Sequence, residues 1–182
     1  METFGVPGRP PLRGQCALIF LTVGSQMPFD RLVQAMDLWA GQHPVCKVLA
    51  QIGISSLQPK NIEYFTALTP AEFRARVAQA EIIVAHAGMG SVLTALEYSK
   101  PLVLLPRRGD LRETRNDHQL ATARWLAQKP GIRVAMEVGD LPAAIAAALD
   151  GSADLAGVAP PTPSALIDYL RHYLDDVAAG RE

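Results

Sequence analysis

The stretch His86-Ala87-Gly88-Met89-Gly90-Ser91 sets two glycines and a hydroxyl between a short apolar run and a segment of helical periodicity. Gly88 and Gly90 let backbone approach a ligand closely, and a helix opened by Ser91 turns unpaired N–H groups and its positive dipole end toward an anion such as a diphosphate. The Ser91 hydroxyl could serve the same phosphate. A glycine pair between strand and helix also occurs in turns that bind nothing, so the pattern alone leaves both readings open. A nicotinamide fingerprint needs a third small residue three places after the second glycine, where this chain has Leu93, and a dehydrogenase is not expected. His86 is either a half-buried histidine bonded to backbone or a donor facing a phosphate. No HxxxH or Cys/His spacing surrounds it, so no metal site is expected.

Two further loops could join it. Thr22-Val23-Gly24-Ser25-Gln26 is either a simple strand exit or, through Gly24 and Ser25, a second backbone contact to the ligand. Residues 106–119 concentrate Arg107, Arg108, Arg112 and Arg115, broken by Asp110 and Glu113. A mixed charge run is usually a solvated surface loop, but long connections are often functional. Its end, Asn116-Asp117-His118-Gln119, either caps a helix or offers Asp117, His118 and Gln119 to sugar hydroxyls.

These loops converge only if the elements before them lie side by side. Short apolar runs at 18–23, 46–52, 62–68, 82–86, 102–106 and 132–138 read as strands, and they alternate with helical periodicity. Leu32, Val33, Met36, Trp39 and Ala40 share one helical stripe. Further helices are expected over 70–80, 91–99, 116–128 and 141–149, the first with Thr69 as N-cap and Glu72 completing a capping box. That alternation predicts an α/β fold, a Rossmann-like doubly wound parallel sheet, with ligand at the carboxyl ends of the strands.

The chain has 182 residues, 17 Lys+Arg against 18 Asp+Glu, and is 49% hydrophobic. That is one domain with an ample core, and its near-neutral charge argues against a nucleic-acid partner. Cys16 and Cys46 cannot make a disulfide framework, which points to a reducing compartment. No apolar run reaches the length needed to span a bilayer. Residues 1–16, rich in proline, glycine and arginine, read as a flexible leader; 17–150 is the ligand-binding domain, 151–163 a small-residue linker, and 164–182 a C-terminal helix. The stripe Leu166, Ile167, Leu170, Tyr173 and Leu174 either packs on the chain's own sheet or docks on another subunit.

Several ordered motifs now agree. His86-Ala-Gly-Met-Gly-Ser91, Lys100-Pro101, the strand ending at Pro106 and Asp117-His118-Gln119 together resemble the donor-binding C-terminal half of GT-B glycosyltransferases of family 28. Thr22-Val-Gly-Ser-Gln with Pro28-Phe-Asp-Arg-Leu32 is similar to the single-domain members: the catalytic subunit of a two-subunit UDP-N-acetylglucosamine transferase and bacterial exopolysaccharide glycosyltransferase subunits. The resemblance implies a single GT-B half domain acting as a UDP-sugar-dependent hexosyltransferase on a lipid-linked acceptor, with the UDP-sugar as substrate and no cofactor or metal. His86 and Ser91 would lie against the diphosphate, Gly24 and Ser25 would close over it, and His118 and Gln119 would reach the sugar. Ribose recognition, often by an acid three places after the serine, falls to Thr94 or, one turn on, Glu97. Arg107 or Arg108 would help stabilise charge on the diphosphate. One domain cannot close a two-domain cleft, so the resemblance implies a membrane-associated acceptor-binding partner that supplies the general base, and a cytoplasmic chain recruited to the membrane through it. A non-catalytic regulatory subunit of a separate transferase is the alternative.

Overall fold

The computed structural model describes residues 17–24, 27–115 and 118–151. The proposed leader, all but the first residue of the proposed linker, and the C-terminal helix lie outside them, as do Ser25 and Asp117. Six strands run β1 (Leu18–Thr22), β2 (Lys47–Gln51), β3 (Glu63–Phe65), β4 (Ile82–His86), β5 (Leu102–Leu105) and β6 (Ile132–Val134). They form one sheet in the order β3-β2-β1-β4-β5-β6, and every neighbouring pair is parallel. Helices α1 (Asp30–Gln42), α2 (Pro70–Gln79), α3 (Met89–Glu97), α4 (His118–Leu126) and α5 (Leu141–Leu149) cover it.

The two-residue period of the strands sorts side chains onto two cores. Ile19 and Leu21 of β1, Val84 of β4 and Val103 and Leu105 of β5 face α1 and α5. Phe20, Ile83, Leu102 and Leu104 face the other way, with Val77 of α2, Val92 and Ala95 of α3 and Leu126 of α4. Central strands buried on both faces must read as continuous apolar runs, which is why these were visible in sequence. The α1 stripe is buried as its spacing requires. The Thr69–Glu72 capping box forms, with the Glu72 amide donating to Thr69 Oγ1 at 3.3 Å and the Thr69 amide to Glu72 Oε2 at 2.8 Å.

Chain order reverses between β1 and β4. From β1 the chain runs outward to β2 and β3; from β4 it runs the opposite way to β5 and β6. Right-handed crossovers then put α1 on one face and α3 and α4 on the other, opening a crevice at the carboxyl ends of β1 and β4.

Three expectations need correction. The edge strands β3 and β6 are three residues each rather than seven. Short edges limit pairing with other chains, and Glu63 on β3 is also held by Lys47 at 3.0 Å. Helix α3 begins at Met89, not Ser91, with Gly88 as its N-cap. Ser91 is therefore the third residue of the first turn.

Candidate functional site

A cleft of about 560 Å³ opens at that crevice, lined by Gly24 after β1, Gln51 ending β2, His86 and residues 88–91 at the β4–α3 turn, and Arg107, Glu113, Thr114, His118 and Gln119 around the β5–α4 connection. Its floor is set by one ring. His86 lies between two glycines: a Cβ at Gly24 would stand 2.7 Å from its Cε1, and a Cβ at Gly88 would run into its Nε2. Gly24 also has φ +77°, a conformation that costs other residues energy. Both positions are glycine because an imidazole occupies the space a side chain would need.

That ring is neutral at physiological pH. Burial first, and the charge of Arg107 second, push its pKa down to about 4, with a backbone contact to Thr22 working against both. His86 Nδ1 is buried and makes no hydrogen bond among the described residues.

Above the ring stands the first turn of α3. The Ser91 and Val92 amides donate to the Gly88 carbonyl at 3.1 and 3.2 Å. The turn has no side-chain cap and no acidic residue. The amides of Met89 and Gly90 have no acceptor among the described residues, and a Cβ at Gly90 would meet nothing within 4 Å. Ser91 is 8% exposed, on the cleft wall. Uncapped amides, a hydroxyl and a helix dipole facing open space make a site for an anion.

The third loop is built differently from its sequence reading. Arg107 is 4% exposed and spends its guanidinium on backbone carbonyls, among them Val23 and Met27, each at 2.7 Å. Burial pushes its pKa down, with Glu113 opposing, but an arginine keeps its charge. Arg31 grips Glu113 with two bonds, 2.7 and 2.8 Å. Arg108 is paired with Asp110 and Glu137, each at 2.7 Å, and does not line the cleft. Gln119 is 8% exposed, its Oε1 accepting from the Arg107 amide at 3.2 Å.

The structure thus brings Gly24, His86, Gly88, Gly90, Ser91, Thr94, Arg107, His118 and Gln119 to one cleft. Glu97 does not line it. Thr94 does, and its hydroxyl donates back to the Gly90 carbonyl at 2.9 Å, leaving it an acceptor for a ligand hydroxyl. Sequence reasoning missed Gln51 and Phe73. Gln51 ends β2 directly opposite Thr22, whose hydroxyl it accepts at 3.2 Å, so its strand-end position was the available signal. Phe73 carried none, because an aromatic on an amphipathic helix reads as core; its ring makes a T-shaped contact with Phe20 while also lining the cleft. Among the described residues no cluster of three or more His, Cys, Asp or Glu could hold a metal ion, and no helix is long and apolar enough to cross a membrane.

Fold and cleft define a doubly wound α/β domain with an uncapped helix N-terminus at its topological switch point. Residues 18–152 match the glycosyltransferase family 28 C-terminal domain, and the chain belongs to that family. No curated protein sequence matches it. Among solved structures it is similar to the calicheamicin glycosyltransferase CalG4, at 22% identity over 94% of this chain and 47% of that one, with a TM-score of 0.59. The glycotransferase of kitacinnamycin gives 22% identity over 85% and 38%, TM-score 0.57. The solution structure of ALG13 gives 16% identity over 73% and 85%, TM-score 0.54. The chain therefore spans less than half the length of the first two and most of the third. These likenesses establish the shared GT-B half-domain fold.

Proposed function

We propose that this chain is the donor-binding subunit of a glycosyltransferase that moves a hexosyl group from a UDP-sugar to a lipid-linked acceptor in exopolysaccharide or oligosaccharide assembly. One observation carries the reading: the uncapped first turn of α3, with Ser91, faces a cleft shared with the His86 ring and Gln119. Its volume of about 560 Å³ suits a nucleotide-sized ligand.

In this reading the acceptor hydroxyl attacks the anomeric carbon as the bond from that carbon to the diphosphate oxygen breaks. UDP leaves with the electron pair, and the hydroxyl proton passes to a general base on an acceptor-binding partner. The α3 amides and the Ser91 hydroxyl stabilise charge growing on the leaving diphosphate, so the step needs neither metal nor cofactor. Neutral His86 offers one ring nitrogen as a donor. His118 and Gln119 face the sugar and Thr94 the ribose; Ser25 and Asp117 stay donor-binding candidates by sequence alone. The sequence likeness to single-domain family members supports a membrane-associated partner subunit and a cytoplasmic chain recruited through it.

Calorimetric titration of UDP, UDP-glucose, UDP-galactose, UDP-glucuronate and UDP-N-acetylglucosamine, with and without the partner, tests the reading. Binding of UDP and tighter binding of one UDP-sugar are expected. A chain that binds none of them in either setting is not a donor subunit. Thr94, standing where the family often has an acid, favours one second reading, a regulatory subunit that binds without transferring; a reconstituted transfer assay separates the two.

A further inference from the structure

We infer that Arg107 is a positioning residue for the diphosphate cleft, stapling together the two ends of the β1–α1 connection instead of reaching the ligand. The inference rests on the donor-binding reading for the identity of that ligand; the staple itself is a property of the chain.

The guanidinium sits inside the connection. Nη2 donates to the carbonyl of Val23, before Gly24, and to that of Met27, beyond it. Nη1 donates to Pro28 and, across to its own loop, to the Glu113 carbonyl at 3.1 Å. Four of its five N–H groups are thus spent on carbonyls, leaving too few for the forked grip by which arginine holds a phosphate. The Phe29 ring, fully buried, supports the guanidinium at 4.6 Å. Through its own amide Arg107 also holds Gln119, another residue lining the cleft.

Among the described residues no carboxylate is bonded to this cation. Glu113, the nearest candidate, is taken by Arg31 and by the Arg108 amide at 3.0 Å. A buried charge whose described partners are carbonyls is costly, and its retention needs a reason. Geometry supplies one: a planar fork reaches carbonyls on both sides of the glycine turn, which a three-donor ammonium cannot do in one plane. The connection so held carries Gly24, which touches the His86 ring on the cleft floor.

Arg107→Lys keeps the charge and removes the fork. In the ligand-free chain, hydrogen exchange of a peptide spanning residues 23–29 should quicken while peptides from β4 and β5 stay protected. The His86 ring resonances, which report its contact with Gly24, should shift. UDP affinity should fall by about tenfold or more, as expected when a binding loop is displaced by a fraction of an ångström. Should Arg107→Lys not fold, Phe29→Leu removes the supporting ring and should give the same changes in smaller measure. Unchanged exchange and unchanged His86 resonances in Arg107→Lys would overturn the staple. So would a loosened connection with wild-type UDP affinity. If the wild-type chain itself binds no UDP, the donor reading fails, and exchange and resonances still decide the role of Arg107.

Discussion

Ser91 on the cleft wall and His86 on its floor predict different measurements. The Ser91 hydroxyl makes no hydrogen bond among the described residues, so Ser91→Ala should leave the melting temperature nearly unchanged. It should weaken UDP binding by about 0.5–1.5 kcal/mol, or up to about 3 kcal/mol if the bond is to a charged phosphate oxygen. Wild-type affinity in calorimetry would mean that the phosphate lies elsewhere. His86 couples stability to pH. Its pKa is about 4 folded against 6.5 for a free histidine, so as pH falls the unfolded chain takes up the proton first. Stability is lost between those two values and levels off below them, by an amount on the order of 3 kcal/mol. Other groups titrate in the same window, so the test is a difference. Urea unfolding at about pH 7 and about pH 4.5 should show a smaller loss for His86→Gln than for the natural chain. Equal losses would mean that the ring is not desolvated as described.

At the scale of elements, what was legible followed from how many constraints each residue obeyed. β1, β4 and β5 are buried on both faces, so each apolar residue in them counted twice toward the strand reading. The 3.6-residue stripe and the capping box located α1 and α2 for equally local reasons. The edges were over-read because Ile62, Leu68, Ala135 and Val138 are apolar and pack on the cores from outside the strands, which periodicity does not distinguish from pairing. The cleft was legible where the His86 ring dictates glycine, at Gly24 and Gly88, and where a strand-to-helix turn could be read directly, at Gly90 and Ser91. It was illegible where a long-range contact did, since nothing local says that Arg107 turns inward to carbonyls 79 to 84 positions away. The two-residue shift of the α3 start makes its own prediction. Gly90 lies in the first helical turn, where alanine is favoured by up to about 1 kcal/mol, and its Cβ would meet open space. Gly90→Ala should therefore hold or raise the melting temperature while lowering UDP affinity, because the open space is the ligand's. A variant that is stabilised and binds as well as the natural chain would place the ligand away from this turn. Gly88→Ala should behave oppositely, losing stability by about 1–3 kcal/mol as the methyl meets the His86 ring.

For the whole molecule, the question is what the remaining chain does beside a sheet whose two faces already carry helices, α1 and α5 on one and α2, α3 and α4 on the other. Residues 164–176 carry an apolar stripe of Leu166, Ile167, Leu170, Tyr173 and Leu174 and lie outside the described residues. If the stripe packed on this domain, deleting it would expose apolar surface worth roughly 1.5–3 kcal/mol for each large side chain uncovered, and the melting temperature would drop by many degrees. If it docks on the acceptor-binding subunit, the deletion leaves the domain's own core intact and removes only the contact. The covered sheet favours the second outcome. A chain ending at Gly151 is expected to melt within a few degrees of the full chain, to keep its affinity for UDP, and to fail to co-purify with the partner. A large drop in melting temperature would assign the stripe to its own domain, and a complex that forms unchanged would remove it from the partner contact.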